Sequence, residues 1–394
     1  MNEEHWLTLI PETPLCIGLF KTSRFISSRS EIPGSILRGT LARYIRIKGG
    51  ADHILDVVSR MRFGFFRPSP SKDAVSLPFP LTAQECKRAP GFSKENDTSE
   101  NGHGISDFLI PFIAYEEIGG STPWLIFDVP FSFTCPFESD GRRCDSRMEQ
   151  ARGYYIFKDR RFEKVRMEHI SQTKVSIDRR TRTAKEGMLF SITGVSRKIL
   201  FSGRVWGPEE YVKELEHALR QYGVGALTGR GFGNVNVERS GSAGIDTIKN
   251  RIEEFNERLL HVWKDISSLS KSRDIPFEPE ATYFTVDLLS PAIFRYPIPS
   301  TRLHLTIEGI EHKPVCWFTE PTFVGGWSPA LGLPKSTHLG ADIGSTYVFK
   351  TDLDLDTLVE NLEELEANGV GFRTDEGYGE TIVCHPFHLE VNRI

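Results

Sequence analysis

Three cysteines and one histidine lie close enough along the chain to form a metal site. Cys86, His103, Cys135 and Cys144 fall within about sixty residues of loop-like sequence. Three thiolates and one imidazole are a complete tetrahedral ligand set for Zn²⁺, so this segment is a candidate structural zinc site. The interval from Cys135 to Cys144 is wider than in most zinc knuckles, and unrelated buried thiols with a surface histidine are the alternative. The other cysteines lie in apolar stretches and are predicted core residues: Cys16, Cys316 and Cys384.

A glycine-rich motif that occurs twice is the second candidate for chemistry. Residues 222–237 read YGVGALTGRGFGNVNV and residues 368–383 read NGVGFRTDEGYGETIV, with seven of sixteen positions identical at a constant offset of 146. Glycine permits positive φ and leaves backbone amides uncovered, so such a loop can approach phosphates closely. A merely tight connection is the alternative. A dinucleotide-binding motif is disfavoured, because these loops lead into strands whereas that fingerprint opens a helix.

Basic residues are concentrated in one region of an acidic chain. The net charge is −5, yet residues 142–185 hold 14 Lys and Arg against 6 acids, a balance of +8. Residues 351–394 hold 2 bases against 11 acids, a balance of −9. The first region can follow a phosphate chain and the second repels one. Two solvated faces are the alternative interpretation.

The elements that position the glycine motifs are repeated with them. A charged segment with helical apolar spacing precedes each motif, PEEYVKELEHALRQ and DLDTLVENLEELEA, and an alternating NVNV or ETIV follows. Each half of the chain is therefore predicted to end as helix, glycine loop and strand. WLTLI at 6–10 and TYFTVDLL at 282–289 are the predicted first strands of the two halves.

Length and composition indicate a globular chain with more than one domain. Its 394 residues exceed the roughly 150 of a typical domain, and 39% hydrophobic with 26% charged residues excludes a disordered chain. We expect a cytoplasmic, membrane-free protein, because there is neither an apolar run of about 18 residues nor a basic and apolar leader. Six scattered cysteines without a secretion signal argue against a disulfide framework.

These motifs resemble those of the CRISPR-associated RAMP (repeat-associated mysterious protein) superfamily, whose hallmark is a glycine loop near the end of each ferredoxin-like domain. IPGSILRGTLA at 32–42 resembles the start of the first helix in type III subunits, and KVSIDRRTRTAKEGMLFS at 174–191 resembles their thumb hairpin. Further segments resemble the large subtype III-D subunit, which is similar to proteins that hold the guide 5′ tag: CKRAPGF at 86–92, HGISD at 103–107, the Cys135 and Cys144 pair, FVGGWSPALGLPK at 323–335 and GSTYVF at 344–349.

The resemblance implies an α+β fold of two ferredoxin-like (RRM-like) domains. The N-terminal RAMP domain is expected at 1–240, with a loop-rich insertion at about 68–155 and a thumb-like segment at about 169–204. A linker and bridging helix follow at 241–280, and the C-terminal RAMP domain occupies 281–394. Each domain is expected to form a four-stranded antiparallel sheet with two helices.

The residues expected to contact guide RNA combine positive charge, bare backbone and planar side chains, since phosphate neutralisation gives affinity and stacking orders single-stranded bases. They are Arg24, Arg38, Arg43, Lys174, Arg179, Arg180, Arg182, Lys185, Gly223, Gly225, Arg230, Gly231, Phe232, Gly233 and Trp327. In the second loop Glu376 takes the place of Arg230, and Asp375 lies next to it. That copy is therefore expected to bind phosphate poorly and to be available to a protein partner.

The implied function is that of a non-catalytic, structural crRNA-binding subunit of a type III interference ribonucleoprotein. It would hold the 5′ tag of the guide RNA and nucleate assembly with backbone RAMP subunits and the large polymerase-like subunit, for antiviral defence. The alternative is a metal-independent endoribonuclease that processes repeat RNA, with His5 or His169 near the RNA. The segment after the first strand, FKTSRFISSRSE, lacks the aspartate of target-cutting RAMPs. Asp178 is expected to order the thumb.

Overall fold

The structure is a computed structural model that describes residues 3–21, 25–72, 74–93, 102–120, 123–127, 131–139, 141–158, 161–241, 244–270, 276, 278–295, 299–328 and 332–391. Helices and mostly antiparallel sheets make up these residues, which confirms the predicted α+β class. The chain divides into two compact units. Unit 1 contains Met1–Leu77, Val165–Ala243 and Arg373–Tyr378, and unit 2 contains Pro78–Lys164, Gly244–Phe372 and Gly379–Ile394.

The α-helices are α1 (Gly34–Ile47), α2 (Ile54–Ser59), α3 (Leu109–Gly119), α4 (Pro123–Phe127), α5 (Glu209–Tyr222), α6 (Ile248–Ser268), α7 (Leu355–Asn368) and α8 (Pro386–Glu390). Short 3₁₀ turns occur at Ala51–His53, Thr228–Arg230 and Thr374–Glu376. Within the described ranges, none of the helices combines the length and apolar character needed to cross a bilayer.

The strands are β1 (Glu4–Pro11), β2 (Gly18–Lys21), β3 (Phe25–Ser28), β4 (Arg62–Phe63), β5 (Arg67–Ser69), β6 (Leu77–Pro78), β7 (Ala83–Cys86), β8 (Ile105–Asp107), β9 (Glu138–Ser139), β10 (Arg142–Arg143), β11 (Met148–Gln150), β12 (Tyr154–Lys158), β13 (Arg161–Val165), β14 (His169–Ile177), β15 (Ala184–Val195), β16 (Leu200–Trp206), β17 (Val235–Arg239), β18 (Thr282–Leu288), β19 (Leu305–Ile307), β20 (Ile310–His312), β21 (Cys316–Phe318), β22 (Pro321–Val324), β23 (Trp327–Ser328), β24 (Leu333–Pro334), β25 (His338–Ala341), β26 (Thr346–Thr351) and β27 (Thr381–Val383).

The central sheet of unit 1 has the strand order of a ferredoxin-like domain. Its strands run β17-β1-β16-β4, all antiparallel, with α1 and α5 as the two helices. Leu7 and Leu9 of β1 lie in the same core as Leu37 and Leu41 of α1 and Leu215 of α5. Each such fully buried side chain contributes roughly 1.5–3 kcal/mol relative to an exposed one. The core therefore fixes the position of α5, which leads into the first glycine loop.

The thumb-like segment is a long antiparallel hairpin of β14 and β15, in which Lys174 faces Phe190. β15 also pairs in parallel with β3. The hairpin is shorter than the predicted 169–204, because it ends at Val195 and the following β16 pairs with β1 in the central sheet.

The insertion also differs from the predicted 68–155. Strand β5 still pairs with β16, whereas residues 78–164 belong to unit 2. Helix α3 is apolar on nearly all sides, so it must be buried. It packs against α6, and Leu109 and Ile113 lie in one core with Phe255. Unit 1 is therefore the predicted domain 1–240 without most of its insertion and with Arg373–Tyr378 added.

Unit 2 contains a four-stranded antiparallel sheet, in the order β21-β26-β18-β27. Its strand order matches the first sheet, but the described residues between β18 and β21 contain no helix. Helix α6, predicted as part of a linker at 241–280, is instead a core element that packs against β18, α7 and α8. Its buried face includes Ile252, Phe255 and Leu259.

A buried histidine between two aspartates ties three segments of unit 2 together. His388 of α8 bonds through Nδ1 to Asp107 Oδ2 at 2.5 Å and through Nε2 to Asp287 Oδ1 at 3.0 Å. Thr285 and Thr346 each donate to Asp287 at 2.6 Å. Burial alone lowers the pKa of His388, but the charges of Asp287 and Asp107 raise it to about 10. The histidine is therefore held as a cation.

A second histidine in this core has the opposite pKa shift. Burial lowers the pKa of His385 to about 3, so its ring is neutral. Its Nδ1 accepts from the Phe387 amide at 3.2 Å. As pH falls below about 6.5 the unfolded chain gains a proton here that the folded chain refuses, and stability decreases. As pH rises from about 6.5 toward 10 the stabilising proton on His388 is lost, and stability also decreases.

We predict that the chain is most stable near pH 6.5 and that His388→Gln removes the decline toward about pH 10. The variant leaves Asp107 and Asp287 buried without their cation, and this should lower the free energy of unfolding by about 3 kcal/mol or more. Urea unfolding at several pH values checks both statements. The exposed His261→Gln serves as the matched control. A His388→Gln protein as stable as the control at pH 6.5 would contradict this account.

Candidate nucleic-acid interface and metal centre

The two glycine motifs fold into the same loop. In the first, the Val224 amide donates to Gly233 O at 2.8 Å, and in the second the Val370 amide donates to Gly379 O at 2.8 Å. Leu227 and Arg373 occupy equivalent left-handed positions, with φ of 64° and 66°. The repeat found in the sequence is therefore a structural repeat.

Each loop also contacts the segment that follows the first strand of its half. The Ala226 amide donates to Cys16 O at 2.8 Å, and the Phe372 amide donates to Ile293 O at 2.9 Å. A Cβ on Gly225 would lie 2.5 Å from Cys16 O. The glycine is thus required by backbone packing within the protein.

The remaining glycines of the first loop fall into two groups. Gly223 and Gly233 face backbone, since a Cβ on Gly233 would lie 2.5 Å from Val224 O and one on Gly223 would meet Gly233 O. Gly229 and Gly231 face open space, with no heavy atom within 4 Å of an added Cβ. The part of the first loop that can meet another molecule is its tip, residues 228–231.

The tip of the second loop is packed inside unit 1. A Cβ on Gly377 would lie 2.5 Å from Phe63 O and 2.9 Å from the carbonyl carbon of Gly64. The Tyr378 ring packs edge-on against Phe65, with ring centroids 5.2 Å apart. Two loops with equivalent backbone hydrogen bonds therefore differ in what surrounds their tips.

An ion-pair cluster holds the second tip on α1. Arg38 Nη1 lies 2.8 Å from Asp375 Oδ2 and 2.9 Å from Glu376 Oε1. Arg373 Nε donates to the other oxygen of Glu376 at 3.1 Å. Glu376 is only 4% exposed, and the guanidinium groups of Arg38 and Arg373 balance its buried charge. Arg38, predicted to contact RNA, is engaged by carboxylates of its own chain.

Exposed lysine and arginine side chains lie together at the turn of the thumb hairpin. Asp178 orders this turn as predicted, because its Oδ1 accepts from the amides of Arg180 at 2.8 Å and Thr181 at 3.1 Å. Hydrogen bonds from the Thr181 and Arg180 amides lower the pKa of Asp178. Four side chains around the turn are exposed and have no ion pair among the described residues: Arg179, Arg180, Arg182 and Lys185.

Lys174 connects the thumb to the first glycine loop. Its Nζ donates to Arg230 O at 3.3 Å and lies 5.2 Å from the centroid of the Phe232 ring. Phe232 is fully buried, packed against Cys16 and Ile192. The prediction of a planar side chain exposed to bases is therefore wrong for Phe232, because the ring fills the space beneath Lys174.

Other predicted residues lie apart from this surface or outside the described residues. Arg43 is exposed on α1 with its guanidinium 4.8 Å from the Tyr222 ring centroid. Trp327 is 59% exposed in unit 2, on the short hairpin of β23 and β24. Arg24 lies outside the described residues.

The four predicted metal ligands come together in unit 2. Their donor atoms all lie within 4.8 Å of one another, with Cys86 Sγ to Cys144 Sγ at 3.9 Å and Cys135 Sγ to His103 Nδ1 at 3.6 Å. Bonds of about 2.3 Å to sulfur and about 2.0 Å to nitrogen give a sulfur–sulfur edge of about 3.8 Å and a sulfur–nitrogen edge of about 3.5 Å in a tetrahedral site. The separations of these two donor pairs match the edges of such a tetrahedron.

Surrounding groups orient these ligands. Burial raises the pKa of Cys86, but hydrogen bonds from the Ala89 and Arg88 amides and with Cys135 and Cys144 together bring it below its ordinary value. Burial raises the pKa of Cys135 to about 12. The His103 ring stacks on Phe137, with centroids 4.1 Å apart and planes 9° apart. All six cysteines are free thiols.

Of the cysteines predicted to be core residues, Cys16 and Cys384 are fully buried. Cys316 is partly buried.

Comparison with known proteins identifies a family. The family model described as the RAMP superfamily matches residues 8–236, more than half of the chain. A chain of a type III-B Cmr-beta complex bound to cognate target RNA matches with 13% identity, 96% coverage of both chains and a TM-score of 0.41. A chain of a Csm3-Csm4 subcomplex of the type III-A CRISPR-Cas interference complex matches with 14% identity, 88% and 92% coverage and a TM-score of 0.32. No curated protein sequence matches.

The contrast between the loop tips predicts different costs for one substitution. Gly231→Ala and Gly377→Ala both place alanine at a φ near +85°, which strains each loop by about 1 kcal/mol. Only the Gly377 variant also drives a methyl group into the Phe63 carbonyl. We expect Gly377→Ala to lower the free energy of unfolding, measured in urea, by about 1–3 kcal/mol more than Gly231→Ala does. Equal losses at the two positions would show that the second tip is as open as the first.

Proposed function

We propose, on the premise that this chain belongs to the RAMP superfamily, that it is a structural guide-RNA-binding subunit of a type III CRISPR interference complex. It holds the 5′ tag of the guide, in the manner of the large subtype III-D subunit, and nucleates assembly with other RAMP subunits and the polymerase-like subunit. Its place of action is the cytoplasm.

The observation that carries this proposal is the exposed basic surface from the first glycine loop to the turn of the thumb. Arg230 lies at the loop tip, Lys174 bonds to it, and Arg180 lies six residues further along the hairpin. The three residues from Lys174 to the end of β14 span about 10 Å, and the turn extends the basic surface beyond them. Phosphates would supply the counter-charge that the described residues do not provide at the turn.

The same hairpin offers apolar surface for bases. Val175 and Leu189 face each other across the two strands and are 41% and 57% exposed, and Ile177 nearer the turn is 56% exposed. Apolar side chains next to arginines suit a single strand, whose bases need shielding from water while its phosphates need cations. This arrangement supports guide RNA, with its unpaired 5′ tag, as the ligand.

The arrangement of titratable groups supports a subunit that binds RNA without cutting it. General acid–base cleavage requires a positioned base and acid near the ribose hydroxyl. Asp178 is used by the turn, and His5 is bonded to the carbonyl of Gly207 at 3.0 Å. His169 is exposed and has no hydrogen-bond partner among the described residues to orient it.

The thumb proposal is tested with a triple variant in which Arg179, Arg180 and Arg182 are replaced by alanine. The slope of log K against log salt is negative, and each lost phosphate contact should make it shallower by about 0.7 for a single strand. The magnitude of the slope should therefore decrease by about two in the triple variant. Arg142, Arg143 and Arg147, also exposed, provide a control triple variant that removes equal charge elsewhere. Equal effects of both triple variants would show that the thumb acts only through net charge.

The binding assay uses labelled repeat RNA in chelator, so it also reports cleavage. The proposal expects intact RNA throughout. Cleavage that His169→Ala abolishes would instead establish the endoribonuclease alternative.

We further propose that the cluster of Cys86, His103, Cys135 and Cys144 holds a structural Zn²⁺. The donor set and its spacing fit a closed tetrahedral site, in which all four positions belong to the protein. The ion would link β7 to the loops that carry the other three ligands. This role explains how a segment with few long elements keeps a defined structure.

The purified chain is expected to contain one zinc ion, and its Co²⁺ form to show the absorption of tetrahedral thiolate coordination. Cys144→Ser should reduce the zinc content and the thermal stability together. Cys316→Ser, which changes a partly buried thiol outside the cluster, is the control. Zinc content unchanged in Cys144→Ser, with far-ultraviolet circular dichroism also unchanged, would contradict this assignment.

A further inference from the structure

A groove on unit 2 lies between α6, the start of β18 and the start of α7. It encloses about 290 Å³. Its apolar lining includes Ile252 and Leu260 of α6, Ala281 before β18 and Leu355 of α7. We call it the α6 groove. It has room for one or two side chains of a peptide.

The polar groups on the floor of the α6 groove are already satisfied. The Asn256 amide nitrogen donates to Ile252 O at 2.8 Å and to Tyr283 O at 2.7 Å, and its oxygen accepts from the Tyr283 amide at 2.8 Å. A ligand group that reaches the floor therefore finds no open donor or acceptor there. An apolar side chain is the group that gains most by entering.

The rim of the α6 groove is acidic. Glu253 is exposed and interacts electrostatically with Lys249, whose ammonium also bonds to Asp356. Glu278 lies on the other side of the groove, with its Oε1 3.3 Å from Lys264 Nζ. Glu360 and Glu363 are exposed on the neighbouring α7, and neither has an ion pair among the described residues. This field repels a phosphate chain and attracts lysine and arginine.

We infer that the α6 groove is a docking site for a basic segment of another protein, which places one apolar side chain on the groove floor. Lysine or arginine residues flanking that side chain meet Glu253 and Glu278. Because the surface is acidic, it is separate in chemistry from the RNA-binding surface of unit 1. The inference stands whether or not the proposed function is correct.

Two fluorescent probe peptides test the inference on the full chain by anisotropy. One alternates lysine and arginine with leucine, and the other has serine in place of each leucine. The leucine peptide should bind at least tenfold more tightly, and Glu253→Lys should weaken it at least tenfold. Glu363→Lys, which removes the same charge outside the groove lining, should have a much smaller effect.

Three results would overturn the inference: equal binding of the two peptides, equal effects of the two variants, or no binding. Competition of a single-stranded RNA oligonucleotide for the peptide site would assign the groove to nucleic acid and overturn it as well. Guide-RNA affinity measured on Glu253→Lys separates the two proposals, because it should remain unchanged if the groove binds protein alone.

Discussion

Close contact between the backbone of each glycine loop and the segment after the first strand is the constraint on which the rest depends. Cys16 and Ile293 accept the loop amides of Ala226 and Phe372, and a side chain on Gly225 would break that approach. The contact fixes where the helix before the loop ends and where the last strand begins. Each half of the chain therefore presents a loop tip in the same local geometry.

The two halves differ in the charge and surroundings of that tip. Arg230 remains exposed beside Lys174, whereas Glu376 is buried between Arg38 and Arg373. A phosphate chain suits the first environment, and the second is already neutralised within the protein. A duplicated loop thus has two different electrostatic environments through a change of a few charged residues, while both copies keep the same backbone hydrogen bonds.

Local sequence signals predicted the features that depend on local chemistry. Gly, Cys and His spacing located the repeated loops and the four-ligand cluster, and Asp178 was correctly expected to order its turn. Local sequence signals could not predict contacts between segments that are distant along the chain. Nothing in the spacing of Glu376 shows that it lies against Arg38, or that Phe232 is buried, because both depend on tertiary packing. A bridging helix was expected within 241–280, but its place in the core of unit 2 was not.

Ultraviolet crosslinking of the chain to a labelled guide RNA, read by mass spectrometry, tests the division between the loops most directly. Our account predicts crosslinked peptides that contain residues 174–185 and 228–231, with none from residues 373–378. Crosslinks confined to Phe372 or Tyr378 would contradict it, and would assign guide binding to the second loop.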